Sequence, residues 1–240
     1  MPLAAIDYEA DGVRMRGYFA AAASPSAPGV LVAHEAPGMS EHVQHCAERL
    51  AQLGYAAFAL DLYGEPFSYE QAMQRHQGMM NTPGRMLRRA RAALDTFASQ
   101  PGVDPARLGV IGFCQGGITA MELARAGAPV RCAVGFHPGL VRPAGSSDGP
   151  IAAKVLMLVG DDDPVIPPED RAAFAAEMRD KGADWQLHIL GGVGHSFTNP
   201  AVDALQMPGF RYDANADRRA WSMMVSLLEE TLAKPRGHAD

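Results

Sequence analysis

At 240 residues, with 48% hydrophobic and 20% charged side chains, the chain has enough apolar mass for one large α/β domain or two small ones. A net charge of −6 excludes the basic footprint of a nucleic-acid-binding protein, and no apolar run approaches the length of a membrane span. Three cysteines (Cys46, Cys114 and Cys132) are an odd number without metal-ligand spacing, and no basic leader with an apolar run opens the chain, so a reduced, cytoplasmic protein is expected.

Residues 3–9 and Val13 to Ala20 read as a strand pair across the Asp11-Gly12 turn. Gly29-Val30-Leu31-Val32-Ala33-His34 is a continuous apolar strand, as expected where both faces are covered. Ser40 can cap a helix from Glu41 to about Leu53 that Gly54 ends, and Ala56 to Leu60 is the next buried strand. Residues 62–84 read as irregular, with breaks at Gly64, Pro66, Gly78, Pro83 and Gly84. Arg85 to Gln100 reads as helix with Leu87, Ala90, Leu94 and Phe97 on its core face. Strands are expected over Arg107 to Phe113, Val130 to Phe136, Lys154 to Val159 and Gln186 to Leu190, and a helix over Glu169 to Lys181. Asp217 is expected to cap a final helix to about Leu232, with residues 235–240 frayed. Strands and helices alternate without a repeat or a linker. The expectation is a single α/β domain over residues 1–240, with a mostly parallel central sheet and helices on both faces.

Gly112-Phe113-Cys114-Gln115-Gly116 has the form G-x-C-x-G, between the apolar run Leu108-Gly109-Val110-Ile111 and the helix-like run from Ile118 to Ala124. Strand, sharp turn and helix are the setting of a nucleophile elbow, whose glycines let two backbones pass closely. A lone cysteine is more often a buried core residue. The glycine frame and the residues further along reverse that preference here.

In the α/β-hydrolase arrangement the acid and then the base follow the nucleophile along the chain. Gly160-Asp161-Asp162-Asp163-Pro164 follows one strand and Gly191-Gly192-Val193-Gly194-His195 follows the last. His195 can take the thiol proton and return it to a leaving group, while an aspartate orients the imidazole. Asp163 is chosen over Asp162 because Pro164 fixes the turn there; the other aspartates read as a solvated acidic turn. The backbone N–H groups of Ala36, in the loop after the third strand, and of Gln115, after the nucleophile, are the candidate oxyanion donors. Glu35 reads either as a surface carboxylate or as a group that raises the Cys114 pKa.

These pieces resemble the dienelactone hydrolase family (carboxymethylenebutenolidases), a branch of the α/β-hydrolases. The matching residues are His34-Glu35, Gly112-Phe113-Cys114-Gln115-Gly116-Gly117, Gly160-x-x-Asp163-Pro164 and Gly194-His195-Ser196-Phe197, spanning residues 34–197. The resemblance implies a Cys114–His195–Asp163 triad that hydrolyses enol-lactones or esters through a covalent acyl-enzyme, with no cofactor and no metal. It also implies that Glu35 pairs with the resting thiol and releases it when substrate binds. Where members acting on dienelactone carry a carboxylate-binding arginine, this chain has Asn199, and Arg75 and Arg85 are the only other candidates for that task. Implied partners are small lactones or esters, not nucleic acid or membrane, for a monomer or small homo-oligomer. A thioesterase or general carboxylesterase on the same scaffold is the neighbouring reading. A catalytically silent binding module is the reading from another class.

Other residues are assigned to packing or solvent. Glu41, His42 and His45 read as a solvated helix face, and His34 and His137 as hydrogen-bonded structural residues. Cys46, Cys132 and Trp221 read as core, and Met79, Met80 and Met86 as packing or a flexible rim. Neither a dinucleotide nor a P-loop glycine motif occurs.

Overall fold

The computed structural model describes residues 3–233. Eight strands form one sheet: β1 Ala4–Ala10, β2 Val13–Ala20, β3 Ala27–Ala33, β4 Ala56–Leu60, β5 Val103–Phe113, β6 Cys132–Phe136, β7 Lys154–Gly160 and β8 Trp185–Leu190. Their order is β1-β2-β4-β3-β5-β6-β7-β8. The first hairpin and the β2–β4 pair are antiparallel, and every pair from β4 to β8 is parallel. The expected sheet is therefore the observed one. The frayed tail proposed for 235–240 lies outside the described residues.

The apolar strands need cover on both faces, and five helices supply it. Helices α1 Glu41–Gln52 and α6 Ala214–Leu232 bury Val43, Ala47, Leu50, Met224 and Leu228 against one face. Helices α3 Arg85–Ala98, α4 Gln115–Arg125 and α5 Pro168–Asp180 bury Leu94, Phe97, Leu123, Phe174 and Met178 against the other. Helix α4 is buried along its whole length, even at Glu122 and Arg125. The Arg125 guanidinium reaches Glu122 at 2.9 Å and forks onto Glu177 of α5 at 2.8 and 2.7 Å. Buried charge survives only when paired in this way, and the pairing fixes the helix that follows the elbow.

Four sequence expectations change. The stretch read as irregular contains α2, Ala72–Asn81, which runs through Gly78 and stops where Thr82 turns extended before Pro83. The last helix is capped by Asp213, which accepts from the N–H groups of Asn215 and Ala216, and Asp217 lies in its first turn. His42 is not on a solvated face: it packs edge-on against Phe113, 4.8 Å between ring centres, and burial pulls its pKa down to about 4. Trp221 is half-buried and covered by the Arg49 guanidinium, 3.7 Å above the ring. Met79 and Met86 are buried and Met80 is half-buried against them, so all three pack.

Candidate active site

Strands β3, β5, β6, β7 and β8 run parallel, so the loops after Ala33, Phe113, Phe136, Gly160 and Leu190 gather at one sheet edge. At its centre Cys114 adopts φ 50° and ψ −113°, a strained conformation for a residue with a Cβ. Backbone bonds hold it: its N–H donates to Phe136 O at 3.0 Å, and its carbonyl accepts from the N–H groups of Gly117 at 3.0 Å and Ile118 at 3.4 Å. A Cβ on Gly112 would collide with the Gly116 backbone, and one on Gly116 with the Ala33 carbonyl. The thiol is half-exposed at the N-terminus of α4, whose dipole favours negative charge.

His195 is buried in the loop after β8 and is tied down by its backbone. Its N–H donates to Gly209 O at 2.7 Å and its carbonyl accepts from Arg211 N–H at 3.2 Å. Its ring meets Phe210 and His137 edge-on at 4.8 and 5.1 Å. Nδ1 lies 2.7 Å from Asp163 Oδ2, and Asp163 Oδ1 accepts from Val165 N–H at 2.8 Å. The neighbouring carboxylates are occupied elsewhere: Asp161 pairs with Arg171 at 2.7 Å and Asp162 is exposed. Burial opposes charge on His195, but the negative charge of Cys114 and the bond to Asp163 outweigh it and lift the pKa to about 10.

Glu35 ends up in other hands than the resting thiol. It accepts from Asn199 Nδ2 at 2.7 Å and from Ser196 Oγ at 3.1 Å. Burial raises its pKa, with the two hydrogen bonds and His195 pulling the other way. The Asn199 amide is thereby committed to Glu35. Arg75 sits 3.9 Å from Glu65 and over the Phe67 ring, and Arg85 reaches the Gly78 carbonyl, so neither guanidinium joins the cluster.

The N–H groups of Ala36 and Gln115 donate to no acceptor among the described residues. The buried Gln115 side chain is met by Tyr63 Oη and His76 Nδ1, each 2.8 Å from its Oε1. The sequence reading missed Tyr63, His76 and Ser196. Tyr63 follows β4 at the edge where the other loops gather, which was the available signal. His76 sits on the missed α2. His137 closes the back of the site, with φ 39° and Nε2 2.9 Å from Thr198 Oγ1. At the mouth, Tyr69 (49% exposed) reaches across to Met207 (38%), Oη to Sδ 3.7 Å. A groove of 780 Å³ lies between the β1–β2 hairpin and residues 61–67 and contains no triad candidate.

The parallel sheet, with a glycine-framed cysteine turn between β5 and α4 and a histidine and an aspartate in loops after later strands, is the arrangement of the α/β-hydrolase class. The profile of the Dienelactone hydrolase family matches residues 15–232, and the chain belongs to that family. It is similar to a solved dienelactone hydrolase-like promiscuous phosphotriesterase from metagenomic libraries, at 39% identity and TM-score 0.91 over 96% of this chain and 98% of that one. A probable 2-oxo-3-(5-oxofuran-2-ylidene)propanoate lactonase from Bradyrhizobium is 28% identical over 87% of this chain and 86% of its own length. A putative carboxymethylenebutenolidase from Yersinia pestis is 29% identical over 82% of this chain and 76% of its own. The protein is a hydrolase acting on ester and lactone bonds, which sets aside the silent binding module. Among the described residues no helix is long and apolar enough to cross a membrane.

Proposed function

We propose that the chain hydrolyses neutral lactones and esters through a Cys114 thiolate, with His195 as proton carrier and Asp163 as its orienting partner. The observation that carries this reading is the buried His195 ring, held by Asp163 at Nδ1 at 2.7 Å and drawn toward its charged form by Cys114. The thiolate attacks the carbonyl carbon, and the electron pair moves onto oxygen, where the Ala36 and Gln115 N–H groups receive it. The tetrahedral adduct collapses, the C–O bond breaks, and the His195 imidazolium gives its proton to the leaving alkoxide. Neutral His195 then takes a proton from water, and the resulting hydroxide cleaves the thioester. The acid leaves and Cys114 returns to its starting state.

Substrate charge follows from Asn199. An amide already committed to Glu35 offers no charge-assisted grip on a carboxylate, and Glu35 itself disfavours a second anion nearby. Neutral phosphotriesters fit the same description, because a P=O oxygen can use the same two N–H donors. The 39% identical structure described as a promiscuous phosphotriesterase supports including them as secondary substrates. Turnover of matched lactone, aryl ester and thioester substrates separates the lactonase reading from the thioesterase one. Replacing Cys114 with Ala is expected to reduce kcat by several orders of magnitude, as nucleophile loss does in other triads (about 10⁶-fold in one). Near-wild-type turnover by Cys114→Ala on every such substrate would remove the mechanism.

A further inference from the structure

Both peptide units that flank Ala36 are pinned by ring side chains outside the triad. On the upstream side, the Glu35 carbonyl accepts from Gly38 N–H at 3.0 Å and lies 2.7 Å from His34 Nδ1. The Leu62 N–H donates to His34 Nε2 at 3.1 Å, so that nitrogen is the acceptor and Nδ1 carries the ring proton. His34 is fully buried, and burial lowers its pKa and keeps the ring neutral. A peptide unit is planar, so fixing the Glu35 carbonyl also fixes the direction of the Ala36 N–H on the opposite side of the same plane.

Downstream, Tyr63 Oη lies 3.1 Å from the Ala36 carbonyl and 2.8 Å from Gln115 Oε1. A hydroxyl has one proton to give, and Gln115 Nε2 is buried with no partner among the described residues. Interchanging the two ends of the amide gives the NH₂ its partners and ends the competition for the hydroxyl proton, leaving the amide oxygen as the end without a partner among the described residues. Its NH₂ then donates to Tyr63 Oη and to His76 Nδ1, and the hydroxyl proton is free for the Ala36 carbonyl. The His34 and Tyr63 rings stack on each other, 5.2 Å between centres and 30° between planes.

We propose that the stacked His34–Tyr63 pair is a positioning device that aims the Ala36 N–H, holding it through the peptide on either side. The proposal rests on the Ala36 N–H being an oxyanion donor in the reaction described above. Its signature is a loss confined to steps that build an oxyanion. Alkylation of Cys114 by iodoacetamide is a displacement at a saturated carbon and builds none, so it reports the thiol, His195 and the fold without the hole.

The experiment measures kcat, KM and the iodoacetamide rate on the full chain. His34→Leu is expected to lower kcat about 10- to 100-fold, part of the 10²–10³ that a whole oxyanion donor contributes, with KM and the alkylation rate within about twofold of wild type. Tyr63→Phe should lose less, about three- to tenfold in kcat with the same split. His34→Asn keeps a donor near the Nδ1 position and should recover most of the turnover. His34→Gln keeps an acceptor for Leu62 instead and should not. Unchanged kcat in His34→Leu overturns the proposal, and so does a parallel fall in hydrolysis and alkylation. If the leucine variant does not fold, the amide pair decides: equal turnover, or glutamine above asparagine, overturns it. Failure of the underlying mechanism reads differently, as turnover that survives in Cys114→Ala.

Discussion

The floor of the site and its mouth are built by opposite rules. At the floor, Cys114, His195 and Asp163 hang from strand ends, are fixed by backbone hydrogen bonds, and sit among residues with almost no exposure. At the mouth, Tyr69 and Met207 are half-exposed and come from segments outside the sheet, one before α2 and one after the 3-10 turn Pro200–Leu205. The only hydrogen bond described between them is a weak one to sulfur. On the proposed mechanism, a rigid floor with an adaptable mouth separates chemistry from substrate choice, the first set by the main chain and the second by side chains.

The largest effect that would break this contrast is at the floor. His195→Ala is expected to lower kcat by about 10²–10⁴-fold, the usual contribution of a positioned acid–base group. Asp163→Asn should fall toward the same range, while Asp162→Asn stays within about twofold of wild type. A comparable defect at Asp162, measured as kcat/KM on one ester, would move the orienting role to the wrong side of the turn.

The floor is also electrostatically coupled, and an NMR titration can read the coupling. Because the charge of Cys114 helps hold the His195 pKa at about 10, Cys114→Ala should lower that pKa. The sign for stability follows from the raised value. A histidine whose folded pKa exceeds its unfolded value of about 6.5 contributes stability below that pH and loses the contribution as pH climbs toward about 10. Wild type should therefore lose stability across that window more steeply than Cys114→Ala, as read by chemical denaturation at several pH values. Burial raises Cys46 to about 12 and Cys132 to about 11, so Cys114 alone should be alkylated at neutral pH.

At the boundary between floor and mouth, Asn199→Arg should move the kcat/KM ratio for a free acid over its methyl ester by about tenfold toward the acid. Hydrogen bonds to charged groups, at about 1.5–3 kcal/mol, set the upper end near a hundredfold, and part of the new charge is spent on Glu35. Wild type that already favours the acid would show that a cation elsewhere reads the carboxylate. The smallest effects belong to the mouth. Tyr69→Ala and Met207→Ala should raise KM about two- to fivefold for bulky aryl esters, leave kcat nearly unchanged, and barely affect methyl esters. A fall in kcat instead would tie these residues to the floor.

What could be read from the sequence divides along the same line. The elbow was legible because glycines at 112 and 116 are required by backbone contact, and the positions of Asp163 and His195 follow from strand ends in chain order. Strand runs were legible because burial on both faces leaves unbroken apolar stretches, as in β3 and β7. Helix α2 was not, since Gly78 and the nearby prolines mimic loop composition and only packing keeps the segment helical. The Asp213 cap was missed because two aspartates compete within one turn of each other. The embrace of Glu35 by Ser196 and Asn199 joins residues more than 160 positions apart, and no local pattern encodes it. His42 looked solvated by its spacing from Glu41 and His45, and the Phe113 ring that covers it comes from another element.

Gly116 rests directly on the carbonyl of Ala33, so the strand end leading to one proposed oxyanion donor and the helix start carrying the other are already at closest approach. The closest separation of those two elements is therefore a matter of atomic radii: a side-chain replacement can turn the Ala36 N–H but cannot draw the elements closer. Evolution on this scaffold is free to repaint the mouth and bound to leave the gap alone. New activities should then appear only among electrophiles that develop an anionic oxygen of acyl or phosphoryl size. Carbon centres that lack such an oxygen, alkyl halides for example, would react with the thiol once and never be released.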